Sequence, residues 1–204
     1  MFTSAGLAFA ALFPIINPIG VVGAFTGLTV GMEHAERRRQ AALAAFSTAV
    51  LVSGFLIAGH YILVGFGVSL AAVEAVGGLL VGYVGWQMAT QPIVHPTGDE
   101  HEGSDIFLHP LAFPLLAGPG ALAISLGLSN RNDSWLDFPG FIAGVVGVCL
   151  VAYVAMVLAE PISNRLGTRG LEIVVRLMGV IVLAIAAEMV FHGIADHFGL
   201  TVFH

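Results

Sequence analysis

The chain has 204 residues, 57% apolar and only 10% charged, with a formal net charge of −6. A soluble domain carries about 25% charged residues, so thirteen acids and seven arginines with no lysine cannot clothe a sphere of this size in water. A soluble single domain is excluded, as are a nucleic-acid binder, for want of any basic stripe, and a disordered chain, because the mean hydropathy is +0.94.

A bilayer-spanning helix needs about 20 apolar residues. Six apolar runs occur, at roughly 4–31, 41–63, 70–89, 107–130, 138–160 and 171–194. Backbone groups in hydrocarbon must be satisfied internally, and no alternating pattern suggests a barrel, so the expected fold is an all-α polytopic membrane protein with six transmembrane helices. The first run has no basic residue before Arg37 and is too long for a signal h-region, so it is read as the first span. Glu33–Gln40, the turn near Gly65–Ser69, an acidic loop over about 91–106, the turn Asn130–Asp137 and Ser163–Gly170 connect the runs. His95, His101 and His109 accompany the acidic loop and are read as solvated residues rather than metal ligands. The single cysteine, Cys149, excludes a disulfide and a thiolate cluster.

Arg37, Arg38 and Arg39 fall in the first loop and Arg165 and Arg169 in the fifth, whereas Arg131 alone marks the opposite side. The positive-inside rule then puts the odd-numbered loops in the cytoplasm and both termini outside the cell membrane.

An internal repeat is visible. Phe13-Pro14-Ile15-Ile16-Asn17-Pro18-Ile19-Gly20 aligns with Phe113-Pro114-Leu115-Leu116-Ala117-Gly118-Pro119-Gly120, and Gly78 with Gln87-Met88 aligns with Gly179 and Glu188-Met189. Residues 1–204 thus form one transmembrane domain of two units, about 1–92 and 107–199. Three helices per unit is odd, which implies an inverted repeat. The paired motifs put proline and glycine in mid-helix, where proline costs about 3 kcal/mol. Helices one and four are therefore expected to be discontinuous near the bilayer midplane, where broken backbone must face a cavity or another break.

Such breaks expose amides at one half-helix and carbonyls at the other, a pairing that suits a small zwitterion. The expected binding residues are Asn17, Pro18 and Gly20 with Gly118, Pro119 and Gly120. Neither motif carries a charge, so a net-charged ligand would go uncompensated, and a valine at Gly120 is expected to fill the site in a folded protein. Glu188, in the outer third of the last helix, is the coupling candidate, because an acid within a span is costly and by default functional. Coupling to H+ or to Na+ is open, and no other cofactor or metal is expected. Glu74 is read as interfacial, and Glu172 with Arg176 as a local i,i+4 pair. Gly20, Gly23, Gly27 and Gly31, and Gly140 with Gly144, give small-residue faces for internal packing or a homo-oligomer. No H-E-x-x-H, G-x-S-x-G or P-loop is present, so no enzyme is expected. A passive channel, a small-solute efflux protein and, more remotely, an intramembrane enzyme are the alternatives.

The Asn17-Pro18-Ile19-Gly20 and Gly118-Pro119-Gly120 elements, with six spans in about 200 residues, resemble the MarC family of integral membrane proteins, over about residues 1–199. That resemblance implies secondary transport, import or export, of small neutral amino acids such as alanine and glycine. Ala117, where the first repeat has Asn17, departs from a symmetric pattern.

Overall fold

A computed structural model describes residues 2–29, 31–90, 106–107, 111–112, 116–130 and 137–200. The described residues are helical and contain no strand. The elements are α1 (Phe2–Ile16), α2 (Gly20–Leu28), α3 (His34–Phe66), α4 (Leu70–Thr90), α5 (Pro119–Asn130), α6 (Phe138–Val157) and α7 (Ala159–Phe198). The acidic loop with His95 and His101, and His109 beyond it, lie outside the described residues.

Among the described residues, four helices are long and apolar enough to cross a bilayer: His34–Gly59 of α3, all of α4 and α6, and Arg169–Phe198 of α7. Together, α1 and α2 pass the same test as a pair bent by 51°. The 12 residues of α5 rise only about 18 Å, short of the ~30 Å hydrocarbon layer. Ahead of it, Leu111 N–H donates to the Ile106 carbonyl at 3.3 Å and Ala117 N–H to the Ala112 carbonyl at 2.8 Å, both at five-residue spacing. These are wider turns than those of an α-helix.

Two segments expected as loops are helical instead. The charged stretch after Glu33 opens α3, where Arg39 and Gln40 both donate to Glu36 at 2.8 and 2.7 Å. Residues of good helical propensity extend the helix past the hydrophobic boundary. Ser163–Gly170 likewise lies within α7, interrupted only at Gly167, whose φ of 64° and ψ of 170° produce the kink. The pair expected between Arg176 and Glu172 forms.

Side-chain contacts tie the ends together. Arg37 of α3 pairs with Glu160 at the start of α7 at 2.8 Å, and Ser4 of α1 donates to Asp137 before α6 at 2.7 Å. The Arg37 end therefore gathers the first and fifth connections, and the Ser4 end gathers the N-terminus and the start of α6. The main core lies between these ends and includes Leu12, Ile16, Phe25, Val52, Val148 and Met156.

In lipid the hydrophobic effect does not hold helices together, so close packing must. The most extensive contact, between α4 and α7, shows how. A Cβ added at Gly193 would stand 2.6 Å from the Ala71 carbonyl oxygen, one at Gly78 2.8 Å from that of Ala186, and one at Gly179 2.7 Å from the Ala89 nitrogen. The order of these contacts makes the two helices antiparallel. They also repeat: Gly78 meets Ala186 and Val190, and Gly179 meets Gly85 and Ala89, which is the same set after a 101-residue shift. Of the other glycine stripes, Gly23, Gly27, Gly140 and Gly144 are buried within the chain, and Gly31 is exposed. A Cβ at Gly144 would reach the Ala5 carbonyl at 2.5 Å.

Candidate functional site

The first break starts from proline sterics. Pro18 disfavours the α conformation in the residue before it, and Asn17 takes a left-handed φ of 50°, a region that asparagine tolerates better than most residues. Asn17 N–H still closes α1 by donating to the Phe13 carbonyl at 3.0 Å. Its side-chain Oδ1 accepts from Gly20 N–H at 3.0 Å, and its carbonyl accepts from Val21 N–H at 3.1 Å. Val22 N–H goes to the Ile19 carbonyl at 3.2 Å. Three of the four donors that a helix start leaves unmatched are thus used locally in α2. A Cβ on Gly20 would collide with the Asn17 amide. The remaining donor, Asn17 Nδ2, points to the Met88 sulfur of α4 at 3.4 Å, a weak acceptor.

The second break is built differently. Pro119 opens α5, the helical position where a missing N–H costs nothing. Leu122 N–H donates to the Gly118 carbonyl at 3.2 Å. Gly120 is buried, and a Cβ there would collide with Val81 of α4 and lie 3.2 Å from the Ile15 side chain of α1. Ile15 is two residues from Asn17, so the two breaks are neighbours. Valine at 120 would therefore strike Val81, so that substitution carries a packing cost besides any effect on a binding site.

A cavity of about 430 Å³ opens among α1, α4, α5 and α7, toward the Ser4 end. Leu7, Ala11, Ala123, Glu74, Glu188 and His192 are among the residues lining it. Asn17, Pro18, Gly20, Gly118 and Gly120 are not among its described lining residues, although Ala11 and Ala123 lie within two turns of the breaks. Glu188, 61% exposed, contacts His192 Nε2 at 3.2 Å. Glu74 is only 8% exposed, with an oxygen 3.5 Å from where a Cβ of Gly127 would be. Glu74, expected near the interface, is thus packed beneath α5 at the start of α4 rather than open to water. Glycine and alanine at 127 and 123 were the available signal: only small residues on a facing helix leave room for a carboxylate. Among the described residues, no group of three or more His, Cys, Asp or Glu could hold a metal ion.

The comparisons agree over almost the whole chain. Residues 2–198 match the MarC family of integral membrane proteins. A UPF0056 membrane protein of Methanocaldococcus jannaschii is 33% identical over 92% of this chain and 94% of its own length. One from Buchnera aphidicola is 30% identical over 93% and 91%. The inner membrane protein MarC of Citrobacter koseri is 27% identical over 96% of both chains. No solved structure matches. With apolar helices of spanning length and a match covering nearly every described residue, the chain belongs to the MarC family of integral membrane proteins.

Proposed function

We propose that this protein is a secondary transporter, by import or export, of small neutral amino acids such as alanine and glycine. Access would alternate around the two broken helices, with both termini outside the cell membrane. The observation that carries this reading is the contact of Gly120 with Ile15, which sets one helix break against the other. Irregular backbone within a membrane is tolerated where it is buried or lines a cavity, and paired breaks in inverted repeats are a recurrent architecture of transport sites.

Helix packing supports the inverted repeat of two three-helix units. Exchanging the units, with α2 taking the place of α5, turns the α3–α5 contact into α6–α2 and the α4–α5 contact into α7–α2, and it leaves α4–α7 and α3–α6 unchanged. Because α4 and α7 are antiparallel, the relating axis lies across them, as opposite insertion requires.

The hydrogen bonds refine the site. With the first α2 amides engaged by Asn17 and Ile19, the substrate carboxylate is assigned to the Gly118–Gly120 break. The ammonium group is assigned to carbonyls at the breaks, and Asn17 Nδ2 exchanges its weak thioether contact for a substrate oxygen. Pro18 and Pro119 keep both half-helices from closing, and Gly118, with no side chain, leaves the backbone of the second break accessible. Glu188, with Glu74 across the same cavity, is the coupling candidate for H+, and Na+ held by carbonyls is the competing ion.

Uptake into proteoliposomes tests the assignment. Saturable transport of alanine, glycine and serine is expected ahead of leucine or lysine, with a loss of about tenfold in Asn17→Ala, the equivalent of ~1.4 kcal/mol. Glu188→Gln should abolish pH-driven uptake and retain binding. An absence of saturable transport for every neutral amino acid would overturn the proposal.

A further inference from the structure

On the opposite flank of the molecule, α3 and α6 enclose a groove of about 460 Å³ that has no part in the transport reading. Its lining is almost wholly apolar, with alanines at 42, 45 and 49 beside Phe46, Val146 and Leu150. Phe46 is 68% and Leu150 57% exposed, so the groove opens toward the hydrocarbon. From Ala42 to Ser53 it runs about 16 Å at 1.5 Å per residue, close to one leaflet of a ~30 Å hydrocarbon layer.

At its Arg37 end the groove leads toward a second cavity, of about 440 Å³, between the same two helices and the α6–α7 turn. His34, Arg37, Arg38, Val157 and Glu160 line it. Residues three and four apart share a helix face, so Arg38, Ala42, Ala45 and Ala49 form one stripe. On α6 Val146, Leu150, Tyr153 and Val157 form another. Both walls of the apolar groove thus continue into the basic cavity.

The ion pairs decide which charge is available. Arg37 pairs with Glu160 at 2.8 Å, and His34 Nδ1 lies 3.9 Å from the same carboxylate. Arg39 is paired with Glu36 at 2.8 Å. Arg38 is exposed, and among the described residues it has no ion-pair or hydrogen-bond partner. A guanidinium next to an apolar trough one leaflet deep is complementary to a molecule with a phosphate at one end and a hydrocarbon chain at the other.

We propose that the α3–α6 groove is a binding site for one anionic phospholipid, its phosphate at Arg38 and an acyl chain along Ala42, Ala49 and Leu150. Basic pockets between transmembrane helices are suited to such headgroups, and one arginine near the surface contributes about 1 kcal/mol, or roughly fivefold. A zwitterionic lipid presents no net charge for Arg38 to neutralise.

The test is native mass spectrometry of the full chain released from vesicles of phosphatidylglycerol and phosphatidylcholine in equal amounts with identical chains. Phosphatidylglycerol should be retained about fivefold over phosphatidylcholine. Arg38→Gln, at an exposed position, should bring the ratio to parity, and Arg38→Lys should keep most of the preference. Ala49→Phe, which fills the groove, should reduce retention of both lipids. Equal retention by the unaltered protein, or a preference untouched by Arg38→Gln, would overturn the proposal. So would efficient cross-linking between copies through Phe46→Cys in the same vesicles, since a second chain would then occupy the groove.

Discussion

At the first break a side chain makes the new helix start: Asn17 turns the backbone left-handed, and its Oδ1 accepts the Gly20 amide hydrogen bond. At the second, Ala117 stands at the equivalent position and has no such acceptor, so Pro119 opens α5 and Gly120 packs against Val81 and Ile15. Sequence motifs that align residue for residue thus end two helices by different means. One break is fixed by a polar contact within its own segment and the other by contact with neighbouring helices. The first is therefore sensitive to loss of an acceptor, and the second to added volume.

The largest expected effect follows from volume. Gly120→Val overfills the contact with Val81, and overpacking of this kind costs about 1–3 kcal/mol. Thermal unfolding in lipid nanodiscs should register the loss, and Val81→Ala should restore much of it. A Gly120→Val protein as stable as the parent would mean that the second break is looser than its neighbours imply. The first break should respond in the next smaller range. Asn17→Ala removes a helix cap, typically about 1 kcal/mol, and Gly20→Ala should destabilise similarly because its Cβ displaces the Asn17 amide. The double variant should cost little more than either single one, since without the amide there is nothing to strike. Additive losses in that cycle would show that Gly20 is required for a reason other than Asn17.

Much of this was legible from residue order. Pro18 and Pro119 locate the breaks because proline cannot continue a helix, and the bent α1–α2 pair and the late start of α5 follow. The arginine parity anticipates the gathering of the first and fifth connections, sealed by Arg37 and Glu160. What sequence could not reveal was which apolar surface faces which neighbour. Phe25 is 1% exposed and Phe46 68% exposed, yet lipid and protein interior demand the same residue type, so hydropathy does not tell them apart. Glu74 shows the same limit: its burial beside Gly127 of α5, about fifty residues away, leaves no mark in local hydropathy. Asn17 was legible as a polar group at a break but not as a cap, because a cap is defined by where the amide points. The charged opening of α3 was missed because hydropathy ends where the membrane ends, whereas the helix continues as long as its backbone bonds do.

The smallest predicted effect is the most direct test of how far the two breaks differ. If the second break lacked only an acceptor, Ala117→Asn would supply one and stabilise the protein by about 1 kcal/mol, the ordinary value of a cap. The order of residues argues against that gain. In the first break proline immediately follows Asn17 and drives it out of the right-handed region, whereas Gly118 follows Ala117 and proline comes one residue later. Position 117 also donates its N–H to the Ala112 carbonyl in a five-residue turn rather than the four-residue turn that Asn17 makes with Phe13. Ala117 is fully buried, so an asparagine there would have to satisfy its amide inside the core. Ala117→Asn should therefore leave the unfolding temperature unchanged or lower it slightly, while Ala117→Asn combined with Gly118→Pro, which rebuilds the Asn-Pro step, should recover part of a cap. A clear stabilisation by Ala117→Asn alone would mean that the breaks share one geometry and that only the acceptor was lost.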